Sequence, residues 1–243
     1  MNGLCNSYIA LDVETTGLRV KEDRIIEIAA IKVIEGREVE CFNTLIDPHM
    51  KLSEYTKDIT GIEEKQLLDK PSIEDVMPKF LEFIEEFPLL GHRILFDYSF
   101  IKKAAVNLGI EFNKEGIDTL ELSRLCLPKE QSKVLKEACK FMNIDMKDWH
   151  RALPDARASH SLYQALKLKF ADLLADKKIK KDLKFKIKKE KKASRTQKEH
   201  LQNILNCHKI TLEIDIDTLS RNQISRIIDK IKFNKAYIDG ERK

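Results

Sequence analysis

Three features of the sequence predict an α/β fold, a mixed β-sheet flanked by helices, with a small helical unit towards the C-terminal end. Apolar strand-like runs come first and follow one another directly. From about residue 72 they give way to short apolar runs alternating with segments of helical period. Past Asp176 the composition turns lysine-rich and ends in two short amphipathic segments.

The first strand is read in "YIALDVETTGL", residues 8–18, where Tyr8, Ile9, Ala10, Leu11 and Val13 form the apolar run and Thr15-Thr16-Gly17 the turn after it. "RIIEIAAIKVIEG" and "REVECFNTLI" read as two more strands, joined through Glu35-Gly36 as a hairpin. "SIEDVMPKFLEFIEEF" has helical period through Val76, Phe80, Phe83 and Ile84, with Ser72 in a capping position. "PLLGH" reads as a short buried strand. "FDYSFIKKAAVNLG" reads as a helix stopped by Gly109. "SKVLKEACKFMN" and "DARASHSLYQALKLKFADLLA" supply two further helices.

A length of 243 residues suits one sizeable domain with an appendage, and the 42% hydrophobic fraction supports a real core. The domain expected over residues 1–176 is followed by a lysine-rich linker or helix extension over 177–194. A small helical unit then covers 195–243, with possible capping boxes at Ser194/Gln197 and Ser220/Gln223. The five cysteines, at 5, 41, 126, 139 and 207, are odd in number and widely spaced, with no C-x-x-C pair. They argue against a disulfide framework or a zinc site and for a reducing compartment. The first strand starts too early to leave room for a signal peptide, and no apolar run approaches the roughly 18 residues a membrane span needs. A cytoplasmic protein with no membrane partner is expected.

The net charge of +4 hides an asymmetry. Residues 177–243 hold 20 basic and 9 acidic side chains, a net of +11, which leaves residues 1–176 with 24 against 31, a net of −7. A basic tail suits a polyanion, and an acidic body must have its own reason to be negative.

Part of that reason lies in the first strand. Side chains two apart on a strand share a face, so Asp12 and Glu14 stand side by side. Two like charges about 4 Å apart cost on the order of 4 kcal/mol at an effective dielectric near 20. A shared proton or a bound cation would offset that cost. Alone, the pair also fits a strand end with two solvated acids. Asp97, in "GHRILFDYSF", fits a helix N-cap, and "HRALPDARAS" fits a surface His150 followed by another capping Asp155. Taken together, four acids at a strand and two helix starts fit hard divalent cations, which bind carboxylate and water oxygens and leave positions for substrate phosphates. Two such ions about 4 Å apart stabilise both oxygens of a phosphodiester displacement. His150, with an ordinary pKa near 6.5, can accept the proton of the attacking water.

"ALDVETTGL…RIIEIAAIKV", "ITGI", "LLGHRILFDYSFI" and "HRALPDARAS", in that order, resemble the motifs of the DEDDh 3′–5′ exonucleases. That DnaQ-like family includes the proofreading epsilon subunit of bacterial DNA polymerase III. The resemblance covers roughly residues 5–172. His150 lies five residues before Asp155, the h-type spacing; the y-type has Tyr four residues before, where this chain has Arg151. The family implies a ribonuclease H-like fold and two Mg²⁺ or Mn²⁺ ions. It implies that Asp12 bridges both ions, that Glu14 and Asp155 complete one site, and that Asp97 holds the other ion largely through water. His150 would deprotonate water, and Thr15, Thr16 and Leu18 would line the pocket for the 3′-terminal nucleotide. Two positions depart from the family pattern. Arg93 follows His92 where Asn is frequent, and could contact the strand backbone or merely pack outward; Ala29 stands where many relatives have Gly.

The expected activity is 3′–5′ hydrolysis at nucleic-acid 3′ ends, with single-stranded DNA as substrate and nucleoside 5′-monophosphates as products. Competing readings are a proofreading subunit active only with a DNA polymerase, an RNA-trimming enzyme and an inert nucleic-acid binding module. The segment "DIDTLSRNQISRIIDKI" resembles SAP-like helix pairs appended to some bacterial exonucleases and helicases.

Overall fold

The central strand β1 (Tyr8–Thr15) is buried on both faces, and its alternate side chains feed two separate cores. The structure, a computed structural model, describes residues 4–145, 151–188, 191–212 and 216–241. Ile9, Leu11 and Val13 point into one core, and Tyr8 and Ala10 into the other. This two-sided burial explains the near-continuous apolar run in the sequence.

β1 pairs antiparallel with β2 (Ile25–Ile34), which pairs antiparallel with β3 (Arg37–Leu45). The hairpin turns through Glu35 and Gly36, at φ 48° and 78°, the left-handed pair that a two-residue turn demands and that glycine meets at no steric cost. On its other side β1 pairs parallel with β4 (Leu89–Gly91), β4 parallel with β5 (Glu115–Asp118), and β5 antiparallel with β6 (Lys180–Asp182). The mixed sheet runs β3-β2-β1-β4-β5-β6.

The helices in chain order are α1 (Glu54–Thr60), α2 (Glu64–Leu67), α3 (Ile73–Ile84), α4 (Leu95–Asn107), α5 (Thr119–Cys126), α6 (Leu135–Phe141), α7 (Ala152–Lys169), α8 (Ala171–Leu174), α9 (Arg195–His208) and α10 (Arg221–Glu241). Helices α3 and α4 cover one face of the sheet with Met77, Phe80, Ile84, Tyr98 and Ile101. Helices α5, α6 and α7 cover the other with Leu122, Cys139, Leu162, Tyr163 and Leu166. Ser72 caps α3 through a reciprocal box with Asp75. No helix among the described residues is long and apolar enough to cross a membrane.

Part of residues 177–194, read from sequence as linker or helix extension, forms β6, which extends the sheet. Leu183 follows it and packs so closely on β5 that a Cβ at Gly116 would meet its side chain at 2.7 Å. Past this strand, α9 and α10 share a small core of Leu201, Leu205, Leu219, Ile224 and Ile228. Reciprocal bonds join Ser194 with Gln197 and Ser220 with Gln223 at the two expected boxes. Helix α10 meets the body through charge: Asp229 pairs with Arg24 at 3.1 Å, Lys230 lies 3.9 Å from Asp47, and Arg226 pairs with Glu74.

Candidate metal centre

Asp12 and Glu14 have the same parity along β1 as Tyr8 and Ala10, so they face the layer that contains α7. Asp155 lies in the first turn of α7 and meets them there. One carboxylate oxygen from each of Asp12, Glu14 and Asp155 lies within 4.8 Å of the others. Asp97 arrives from the opposite layer. It sits in the first turn of α4, buried, and its Oδ1 accepts the backbone N–H of Val13 at 3.1 Å. The sequence allowed Asp97 and Asp155 to be helix N-caps; instead Ile94 and Arg151 hold the cap positions, and both acids sit inside the first turn.

Burial and like charge set the electrostatics of this arrangement. Burial first, then the charges of Asp97, Glu14, Asp155 and Glu27, push the Asp12 carboxyl well above the usual range. Glu14 is pushed up to about 8 by burial and then by Asp155, Glu27 and Asp97, with Arg151 opposing. Asp97 is also raised to about 8, chiefly by burial, while the Val13 N–H favours its charged form. Carboxyls that burial and mutual repulsion drive towards protonation are the donor set that a hard cation relieves. The residues fit a divalent metal.

The loop after β1 is pinned by its own polar groups. Thr15 Oγ1 donates to Gly17 O at 2.6 Å, and Thr16 Oγ1 accepts from Arg24 N at 3.0 Å. Thr16 O accepts from Thr56 Oγ1 at 3.0 Å, and Asp23 Oδ2 accepts from Arg19 N at 2.7 Å. A Cβ at Gly17 would lie 2.6 Å from that Asp23 oxygen, so glycine is required there. Leu18, 74% exposed, projects an apolar side chain from this rigid loop.

Arg93 is exposed, with a left-handed backbone at φ 73°, and its N–H donates to Asp118 Oδ1 at 2.9 Å. Asn adopts such a positive φ at lower cost than Arg. The neighbouring His92 is bound on both ring nitrogens, to Thr119 Oγ1 at 2.9 Å and Lys133 O at 2.7 Å. His150 lies outside the described residues.

Sequence reasoning passed over Glu27. It stands on β2 directly across from Glu14 and is 1% exposed. Arg151 binds it through Nε at 3.0 Å and Nη2 at 2.8 Å. The signal was available in "RIIEIAAIKV", a charged side chain inside an otherwise apolar run.

The sequence pattern of the RNase T exonuclease family matches residues 9–163, a span that takes in Asp12, Glu14, Asp97, His150 and Asp155. The chain belongs to the exonuclease family. The resemblance of its motifs to the DnaQ-like 3′–5′ exonucleases therefore holds. Among its relatives are DNA polymerase III PolC-type of Caldanaerobacter subterraneus subsp. tengcongensis, 38% identical over 156 residues, and that of Thermotoga maritima, 37% identical over 172 residues. These matches take in 64% and 69% of this chain but only 11% and 12% of the polymerases. Among solved structures, exonuclease X in complex with 5′ overhanging duplex DNA is 27% identical and superposes with a TM-score of 0.55, over 70% of this chain and 97% of that one. E. coli exonuclease I in complex with a dA16 oligonucleotide, 18% identical, gives a TM-score of 0.61 over 70% of this exonuclease-family chain and 42% of its own, a likeness of fold.

Proposed function

We propose that this chain is a metal-dependent 3′–5′ exonuclease that shortens single-stranded DNA from its 3′ end and releases nucleoside 5′-monophosphates. The observation that carries the proposal is the meeting of Asp12, Glu14 and Asp155 within 4.8 Å, on elements from distant parts of the sequence. Asp12, Glu14 and Asp155 would hold one Mg²⁺ or Mn²⁺, and Asp12 with Asp97 a second. Bound there, the ions supply positive charge to the attacking and leaving oxygens of the displacement.

The remaining roles fall to side chains. His150 takes the proton of the attacking water, whose oxygen bonds to phosphorus as the bond to the 3′ oxygen breaks. The shortened strand keeps a 3′-hydroxyl, and the phosphate leaves on the released nucleotide. Thr15 and Thr16 hold the loop that receives the terminal nucleotide, Leu18 offers its base an apolar surface, and Arg93 offers the backbone a positive charge.

The PolC-type relatives support a second reading, a proofreading role beside a DNA polymerase. Purified protein with Mg²⁺ or Mn²⁺, given single-stranded DNA, duplex DNA and RNA of one sequence, tests both. Rapid shortening of the single-stranded DNA by the protein alone supports the stand-alone exonuclease. Shortening only after a polymerase is added supports the second reading, and preference for RNA contradicts the choice of DNA.

A further inference from the structure

We infer that Glu27 is a positioning residue for the metal centre: by clamping Arg151 and Ala152 it fixes the first turn of α7, and so sets where Asp155 meets Asp12 and Glu14. The inference rests on the metal-site reading above. A carboxylate buried within an apolar strand is expensive unless its oxygens are fully engaged. Both are engaged here. Oε1 accepts from Arg151 Nη2 at 2.8 Å, and Oε2 accepts from Arg151 Nε at 3.0 Å and from the Ala152 backbone N–H at 3.2 Å.

That last bond gives the clamp its direction. Ala152 opens α7, and its N–H is among those a helix start leaves without an internal partner. The N-cap residue, Arg151, makes no side-chain cap of its own, so Glu27 caps the helix from the neighbouring sheet. One turn on, Asp155 N donates to Arg151 O at 3.1 Å, which joins the ligand's backbone to the clamped residue. A path of short bonds thus runs from β2 through Arg151 and Ala152 to Asp155.

Location separates this pair from an ordinary structural salt bridge. Glu27 lies directly across from Glu14 on the paired strands, so the clamp stands beside the acids that Asp155 has to meet. Partners behind metal ligands orient them, and their loss costs about 10- to 100-fold in metal affinity or activity.

The test is Mn²⁺ binding by calorimetry to the metal-free full chain, with kcat and KM measured on a single-stranded DNA 3′ end. Glu27→Gln keeps the shape and removes the charge. It is expected to weaken Mn²⁺ binding about 10- to 100-fold and lower kcat, with KM for the strand within about twofold. Arg151→Met should lose as much, and the double variant no more than either single one, because the two residues act as a unit. A Glu27→Gln protein that melts as the wild type does and binds Mn²⁺ equally well overturns the inference. If Glu27→Gln does not fold, Arg151→Lys decides: its side chain is 38% exposed, and it loses the two-pronged contact. Weaker Mn²⁺ binding then supports the clamp, and unchanged binding overturns it. A wild-type chain that binds no Mn²⁺ overturns the metal-site reading and this inference with it; a wild type that binds Mn²⁺ beside an unaffected Glu27→Gln overturns the clamp alone.

Discussion

The backbone N–H of Val13 donates to Asp97 Oδ1 at 3.1 Å, so the residue between Asp12 and Glu14 holds the third acid in place. The strand that carries two acids on one face uses its main chain to fix another from the opposite helical layer. Asp97 therefore depends on β1 for position as well as for proximity. Asp97→Asn retains an oxygen that can accept the Val13 N–H but removes the charge. The expected outcome is a folded protein whose Mn²⁺ isotherm falls from two ions to one, with cleavage reduced at least 100-fold, in the range found when one electrostatic contributor to a displacement is removed.

The pH dependence of stability should be inverted relative to a salt-bridged carboxylate. Glu14 and Asp97 have folded values near 8, above their ordinary values of 4.5 and 3.8. The folded state therefore binds their protons more tightly than the unfolded state. Their stabilising contribution is complete below about pH 4 and is lost as pH rises towards 8 and beyond. In EDTA, the melting temperature should fall between pH 5 and pH 8. Added Mn²⁺ should raise it more at pH 8 than at pH 5. Melting curves at the two pH values, with and without metal, check both statements.

His150→Ala should lower the rate by roughly 10²–10⁴-fold, the usual range for a positioned general base. Metal affinity should barely change, because imidazole is not assigned as a ligand. Calorimetry that shows Mn²⁺ binding lost together with activity would make His150 a ligand.

Much of this was legible in the sequence because strand parity is rigid: Asp12 and Glu14 could be put on one face from spacing alone, and the apolar run marked β1 as a strand. Helix α3 announced itself through its period and its cap Ser72, and α4 through its stop at Gly109. β5 and β6 did not. "EGID" is too short to alternate, and "KKD" carries no apolar residue, so both take their strand character from neighbours. The fixing of Asp97 by a backbone N–H and the Glu27–Arg151 clamp join residues 84 and 124 positions apart, a pairing that no local pattern encodes.

The basic C-terminal segment should act on substrate affinity. Truncation belongs after Lys188, so that β6 and the packing of Leu183 and Phe185 are retained. The shortened protein should keep its rate at saturating single-stranded DNA and show a higher KM. Each phosphate neutralised on a single strand contributes about −0.7 to the slope of log affinity against log salt, so the salt dependence should also become shallower. Equal KM and equal slope for the two proteins would assign the segment to a protein partner instead.

The central claim is that Asp12 anchors a metal centre that cleaves from the 3′ end. The direct measurement is a gel of 5′-labelled single-stranded DNA incubated with Mn²⁺ and either the wild type or Asp12→Ala, with the released products identified. The wild type should give a ladder that shortens from the 3′ end, with nucleoside 5′-monophosphates as products. Asp12→Ala should give no ladder while melting, in EDTA, at or above the wild-type temperature, because it loses an acid proposed to hold metal and that acid's repulsion together. A ladder from Asp12→Ala at the wild-type rate, or internal cuts by the wild type, would contradict the assignment.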